Sequence, residues 1–176
     1  METSLRLRGD GGGLRIHAKE KLPLPYNSLL QAHGELDTAA AAEGGTPAPA
    51  PSYLALFVRH FYPKLSANIG VGVQLHKGEE LAYALRAKKA IPFTSNGLLG
   101  INLKGHLFAD REFKPVKRTG AVELAWTILD LRKGQDVRLK VGYEMYYKFV
   151  PYFQLRENNW TLNASMDGKW DVRFDM

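Results

Sequence analysis

An all-β fold, a membrane-spanning antiparallel β-barrel of about 12 strands, is predicted by three features of the sequence. Apolar and polar residues alternate with a period of two along most of the chain. Turn-forming residues interrupt these runs roughly once every dozen residues. Many of the runs are about 9–12 residues long, the length that crosses a bilayer at a tilt of roughly 45°, whereas soluble strands cluster at about 5–6.

Taken in order, residues 3–8 form a short alternating run, and 14–22 a longer one. In the latter Leu14, Ile16, Ala18 and Leu22 oppose Arg15, His17, Lys19 and Lys21, so the polar face is entirely basic. Pro23 and Pro25 then signal a turn. Residues 38–51, an Ala/Pro/Gly tract, are predicted to form a flexible loop. The run 53–61 is apolar on both faces and leaves open whether Arg59 or His60 shares the basic side.

Over 65–76 the alternation is cleanest, with Ile69, Val71, Val73 and Leu75 opposing Asn68, Gly70, Gly72, Gln74 and His76. Leu81, Tyr83 and Leu85 then oppose Arg86 and Lys88, and Leu99, Ile101, Leu103 and Leu107 oppose Asn102, Lys104 and His106. Pro115 interrupts a run over 112–118. Val122, Leu124, Trp126 and Ile128 oppose Glu123, and Val137, Leu139, Val141 and Tyr143 oppose Arg138, Lys140 and Glu144. The runs 152–156, 160–166 and 170–175 place Arg156 and Arg173 on their polar sides. Together they form a single domain, 1–176.

Alternation is symmetric under inversion: it suits a soluble sheet with an apolar core as well as a membrane barrel with an apolar exterior. Run length favours the barrel. So do apolar faces almost free of charge, with Glu20 and Lys89 placed near strand ends, since a lysine or arginine facing mid-bilayer lipid costs about 2–4 kcal/mol. Aromatics at strand ends (Tyr53, Phe61, Tyr62, Tyr146, Tyr147, Tyr152, Phe153, Trp160, Trp170 and Phe174) suit an interfacial girdle. The stacked cations, offset only by Glu35, Glu123 and Glu144, suit a water-filled lumen better than a solvated sheet, where like charges across strands destabilise. The alternative is a soluble basic β-domain that binds polyanions or nucleic acid.

Composition narrows the chemistry. The chain has no cysteine, which removes thiol nucleophiles and thiolate metal sites. Its formal net charge of +6 favours anionic partners. The longest apolar run, 53–58, is far shorter than a spanning helix, and the first ten residues lack the apolar core of a secretory signal. Gly70-Val71-Gly72 lacks the third glycine of a dinucleotide fingerprint, and Gly9 to Gly13 lacks the Gly-Lys-Ser/Thr of a P-loop. His17, His33, His60, His76 and His106 lie on separate runs without ligand spacing, so no metal is expected. No nucleophile, base and orienting acid group together, so no enzyme is expected. Aromatics mostly fall opposite the cations, which argues against nucleic acid as a partner.

Several strings resemble the plant outer envelope pore protein 21 family: residues 1–6, Ile16 to Leu22, Arg59-His60-Phe61-Tyr62-Pro63, Ala87-Lys88-Lys89, Gln135 to Leu139, and Val150-Pro151 through Arg156 to Thr161. The resemblance runs almost the whole chain. It implies a β-barrel in the outer envelope of chloroplasts and other plastids, working as a voltage-dependent, rectifying anion channel. The implied cargo is phosphorylated carbohydrate, chiefly triose phosphate and 3-phosphoglycerate, with ATP as a regulatory ligand that binds in the pore and restricts flow. Lipid is then the surrounding partner, and homo-oligomerisation is left open. In such a barrel strand parity points Arg15, His17, Lys19, Lys21, Arg86, Lys88, Lys104, His106, Arg138, Lys140, Arg156 and Arg173 into the lumen, where anions and ATP would bind.

Overall fold

The computed structural model describes residues 2–9, 14–38, 50–76, 81–132, 135–145 and 149–176. Twelve strands pair antiparallel with their neighbours in chain order: β1 (Glu2–Arg8), β2 (Arg15–Leu24), β3 (Ser28–Asp37), β4 (Ala50–Tyr62), β5 (Ala67–His76), β6 (Ala82–Pro92), β7 (Leu99–Ala109), β8 (Pro115–Arg132), β9 (Gln135–Met145), β10 (Phe149–Glu157), β11 (Trp160–Ser165) and β12 (Trp170–Asp175). Pairing of Ser4–Arg8 with Asp175–Asp171 closes the sheet into a barrel, so every strand has two partners and no edge is left exposed. An even number of up-and-down strands brings both termini to one rim.

Which face is inside is decided by exposure. Val71, Leu54 and Trp126 are 55%, 51% and 49% exposed on the outer wall, while Glu123 and Ser4 on the opposite face are each 2% exposed. A soluble domain buries the first set and exposes the second; this barrel does the reverse, as a structure with lipid for an outer solvent must. Val71→Arg, in the middle of β5, is therefore expected to destabilise the protein in bilayers by about 2–4 kcal/mol. Urea titration in vesicles, compared with a lumen-facing Gln74→Arg control, measures it.

Several details differ from the sequence expectation. Strand β3 had no counterpart among the alternating runs. Its hairpin turn has no glycine: Tyr26 and Asn27 themselves adopt positive φ, 58° and 54°. Its outward face, Leu30, Ala32, Gly34 and Leu36, is too small in the middle to stand out. Conversely, the runs 112–118 and 122–128 belong largely to one long strand, β8, of 18 residues. A register shift opposite Phe108/Ala109 absorbs Pro115 at its start. Of the 38–51 tract, Ala50 and Pro51 already belong to β4, and 39–49 lie outside the described residues.

Side-chain direction needs correction too. Glu20 lies inside β2 opposite Ala32, on the outward parity, rather than at the strand end. Among the aromatics, Tyr62, Phe153, Trp160, Trp170 and Phe174 share the outward parity, with Trp160 tilted on Phe174 at 4.7 Å. Tyr53, Phe61 and Tyr152 instead point inward, as their cross-strand partners His76, Asn68 and Gly142 show, and so serve the lumen rather than a girdle. Tyr146 and Tyr147 lie outside the described residues. The turn from β11 to β12 is pinned at the other rim: Lys169 and Ser165 donate to Asp167, whose carboxyl they hold down to about 2.

Candidate functional site: a cation-lined lumen

Because side chains alternate along every strand, the register that closes the barrel also sorts its charges. All twelve positions named above, ten lysines or arginines and the two histidines His17 and His106, fall on the enclosed face. Seven of them (His17, Lys19, Arg86, Arg138, Lys140, Arg156 and Arg173) line a central cavity of about 350 Å³. Lys104 and His106 line an adjoining one of about 240 Å³. Lys21 stands apart, 2.5 Å from Glu2.

One arc of the lumen is an arginine row. Arg138 pairs across strands with Arg156, Arg156 with Thr161, Thr161 with Arg173, Arg173 with Arg6, and Arg6 with Arg15. Like charges in such register repel, and carboxylates set beside the row relieve them. Asp175 accepts Arg173 at 2.7 Å and Arg156 at 3.2 Å; Asp171 takes Arg6 at both Nε and Nη2, 3.0 and 2.7 Å; Glu35 takes Arg15 at 2.7 Å. Arg138 at the end of the row meets only a neutral partner among these contacts, Thr127 Oγ1 at 3.2 Å.

The facing arc keeps more of its charge uncompensated. Arg59 donates to Gln31 and Asn68, at 3.1 and 2.8 Å, and lies across from Gly70, where a Cβ would come within 2.9 Å of its own Cγ. Arg86 lies over the ring of Phe57 at 4.0 Å and donates to the Tyr53 hydroxyl at 3.2 Å. Phe57, Ala55 and Ala84 form a small buried cluster with Tyr53 and Phe108, an apolar wall that holds this guanidinium in place. Lys88 pairs in register with Lys104. Among the described residues neither Lys88 nor Lys140 has a carboxylate at ion-pair distance, whereas Lys104 is bound to Glu123.

Sequence reasoning did not find all of this. Arg6 and Arg8 lie on a strand too short to display its period, and Gln31, His33 and Asp37 on the unassigned β3. His33 stands 3.3 Å from His17, Nε2 to Nδ1, beside Glu35. Arg59 is resolved as inward and His60 as outward, bonded to Ser28 at 2.9 Å; the glycine opposite Arg59 was the available signal. The inward carboxylates are not limited to Glu35, Glu123 and Glu144: Glu2, Asp37, Asp171 and Asp175 join them, so the lumen is a cationic surface with local neutralisation.

A closed barrel with an apolar outer wall and an enclosed charged face defines a transmembrane β-barrel pore. Comparison with known proteins agrees. The family model described as chloroplast outer envelope pore protein OEP21 matches residues 3–176. Outer envelope pore protein 21 of Oryza sativa subsp. indica is 60% identical, and that of Pisum sativum 43%, each aligned over all of both chains. In fold the barrel resembles a KdgM porin solved in complex with disordered oligogalacturonate, with a TM-score of 0.63 at 9% identity over 99% of this chain and 95% of that one. The chain belongs to the chloroplast outer envelope pore protein 21 family, and is a porin-like pore protein of the chloroplast outer envelope.

Proposed function

We propose that this pore is a voltage-dependent, rectifying anion-selective channel that passes inorganic anions and phosphorylated carbohydrates, triose phosphate and 3-phosphoglycerate among them, and that ATP binding in the lumen restricts flow. The observation that carries the reading is the set of lumen cations that, among the described residues, have no carboxylate at ion-pair distance: Arg86, Arg138 and Lys140 on the central cavity, with Arg59 and Lys88 on the same inward face. A unit charge about 6 Å from a cation in water gains roughly 0.7 kcal/mol, so a phosphate dianion passing several of them gains a few kcal/mol before screening. That corresponds to millimolar binding, enough to draw an anion in and weak enough to release it. ATP, with about twice the charge of a phosphate dianion, is held longer on the same surface and blocks it.

The reversal potential of the purified protein in a planar bilayer under a potassium chloride gradient tests this. A potential displaced toward that of chloride, with conductance lowered by millimolar ATP, is expected. A cation preference, or conductance indifferent to ATP, overturns the corresponding half of the reading.

A further inference from the structure

Among the described residues Glu123 is the most enclosed charged side chain, 2% exposed in the interior of β8, and on the inward face it stands among Lys88, Lys104 and Lys140. Its Oε1 accepts Lys104 Nζ from β7 and the Tyr152 hydroxyl from β10, while Oε2 has no hydrogen-bond partner among the described residues. Lys140 and Lys88 both lie within the reach of its charge, and of each other's. The arrangement is built into the wall. Glu123 pairs across strands with Asn102 and Gly142, and Tyr152 lies against Gly142, where a Cβ would come within 3.0 Å of its Cζ.

A carboxylate at this position works against anion passage unless it has a use there. Lys88, Lys104 and Lys140, each within reach of the others' charge, would together hold a dianion tightly, and a tightly held ion stops a pore. Glu123 cancels the charge of Lys104 and takes up the Tyr152 hydroxyl, leaving Lys88 and Lys140 as the cations open to cargo. We propose that Glu123 is a specificity-determining residue that limits how tightly the Lys88–Lys104–Lys140 cluster holds a phosphate-type dianion, so that the ion is released rather than retained. This rests on the anion-channel reading and adds to it the part played by a negative charge.

The measurement is block of chloride current by inorganic phosphate in planar bilayers at low ionic strength, where screening is weakest. Glu123→Gln is expected to lower the half-blocking phosphate concentration about tenfold, the effect of removing one charge about 6 Å from a dianion in water. Lys104→Met, which leaves the carboxylate uncancelled, is expected to raise it by a similar factor. The two together restore a value near that of the natural protein, because the pair sums to zero charge. The opposite signs of the single variants keep the test decisive even where one of them folds poorly. A half-blocking concentration within twofold of the natural protein's in either folded single variant, in a channel whose natural form prefers anions, means Glu123 only ties β7, β8 and β10 together and overturns the inference. A natural protein without anion preference defeats the underlying channel reading instead.

Discussion

Arg138→Glu combined with Lys140→Glu is expected to abolish the anion preference of the pore and, at low salt, to reverse it. Both side chains lie on β9 facing the central cavity. Among the described residues neither has a carboxylate at ion-pair distance: Arg138 bonds Thr127 Oγ1, and Lys140 lies in register with Gln154 and Ala125 on the neighbouring strands. Each reversal removes one attraction for a dianion and adds one repulsion, about 1.4 kcal/mol apiece at roughly 6 Å in water, so the pair changes the passage energy by about 5 kcal/mol before screening. With ions at about 0.1 M the Debye length is about 10 Å, and a remaining effect of about 2 kcal/mol still corresponds to about thirtyfold in relative permeability. The fold should tolerate the change, since a glutamate at 138 meets Arg156 directly across the strands. ATP block should weaken in parallel. The reversal potential under a salt gradient measures the result, and an unchanged value would show that these two side chains do not border the conduction path.

The parts of this architecture that sequence makes legible follow from geometry. Period-two alternation places Arg15, His17 and Lys19 on one face and Ile16 and Ala18 on the other whatever the strand pairs with, so the basic stripes of β2, β6, β7 and β9 can be seen without knowing the fold. Parity alone does not say which stripe faces lipid; that is settled by closure, which turns Val71 out and Glu123 in. The alternating runs number the same as the strands although none corresponds to β3, because Pro115 splits β8 into two runs. What parity could not supply was register. The arginine row exists only because Arg6 and Arg15 at one end of the chain and Arg138, Arg156 and Arg173 toward the other fall at matching heights once β1 pairs with β12. The carboxylates that make it tolerable, Asp171 and Asp175, come from the last strand, opposite a first strand of only seven residues.

Gly72→Val is expected to be the most damaging single substitution among those considered, lowering stability by about 3 kcal/mol or more. At 72 an added Cβ would overlap the carbonyl oxygen of Leu56 in β4 and come within 2.6 Å of Phe57 Cδ1. The first contact is with backbone, so no rotamer change relieves it, and β4 and β5 must separate where they pair. The second is with a ring that is 1% exposed and has nowhere to move, since Ala55, Ala84, Tyr53 and Phe108 surround it. Displacing that ring also removes the surface on which the Arg86 guanidinium rests at 4.0 Å, so any barrel that does close should show weakened anion selectivity. The contrast is Gly105→Ala, on the outward parity of β7, where an added Cβ meets nothing within 4 Å. That change should lie within about 0.5 kcal/mol of the natural protein. Denaturant titration in vesicles followed by tryptophan fluorescence separates the two cases, and equal midpoints for Gly72→Val and Gly105→Ala would show that the close approach of Phe57 to residue 72 does not constrain the barrel.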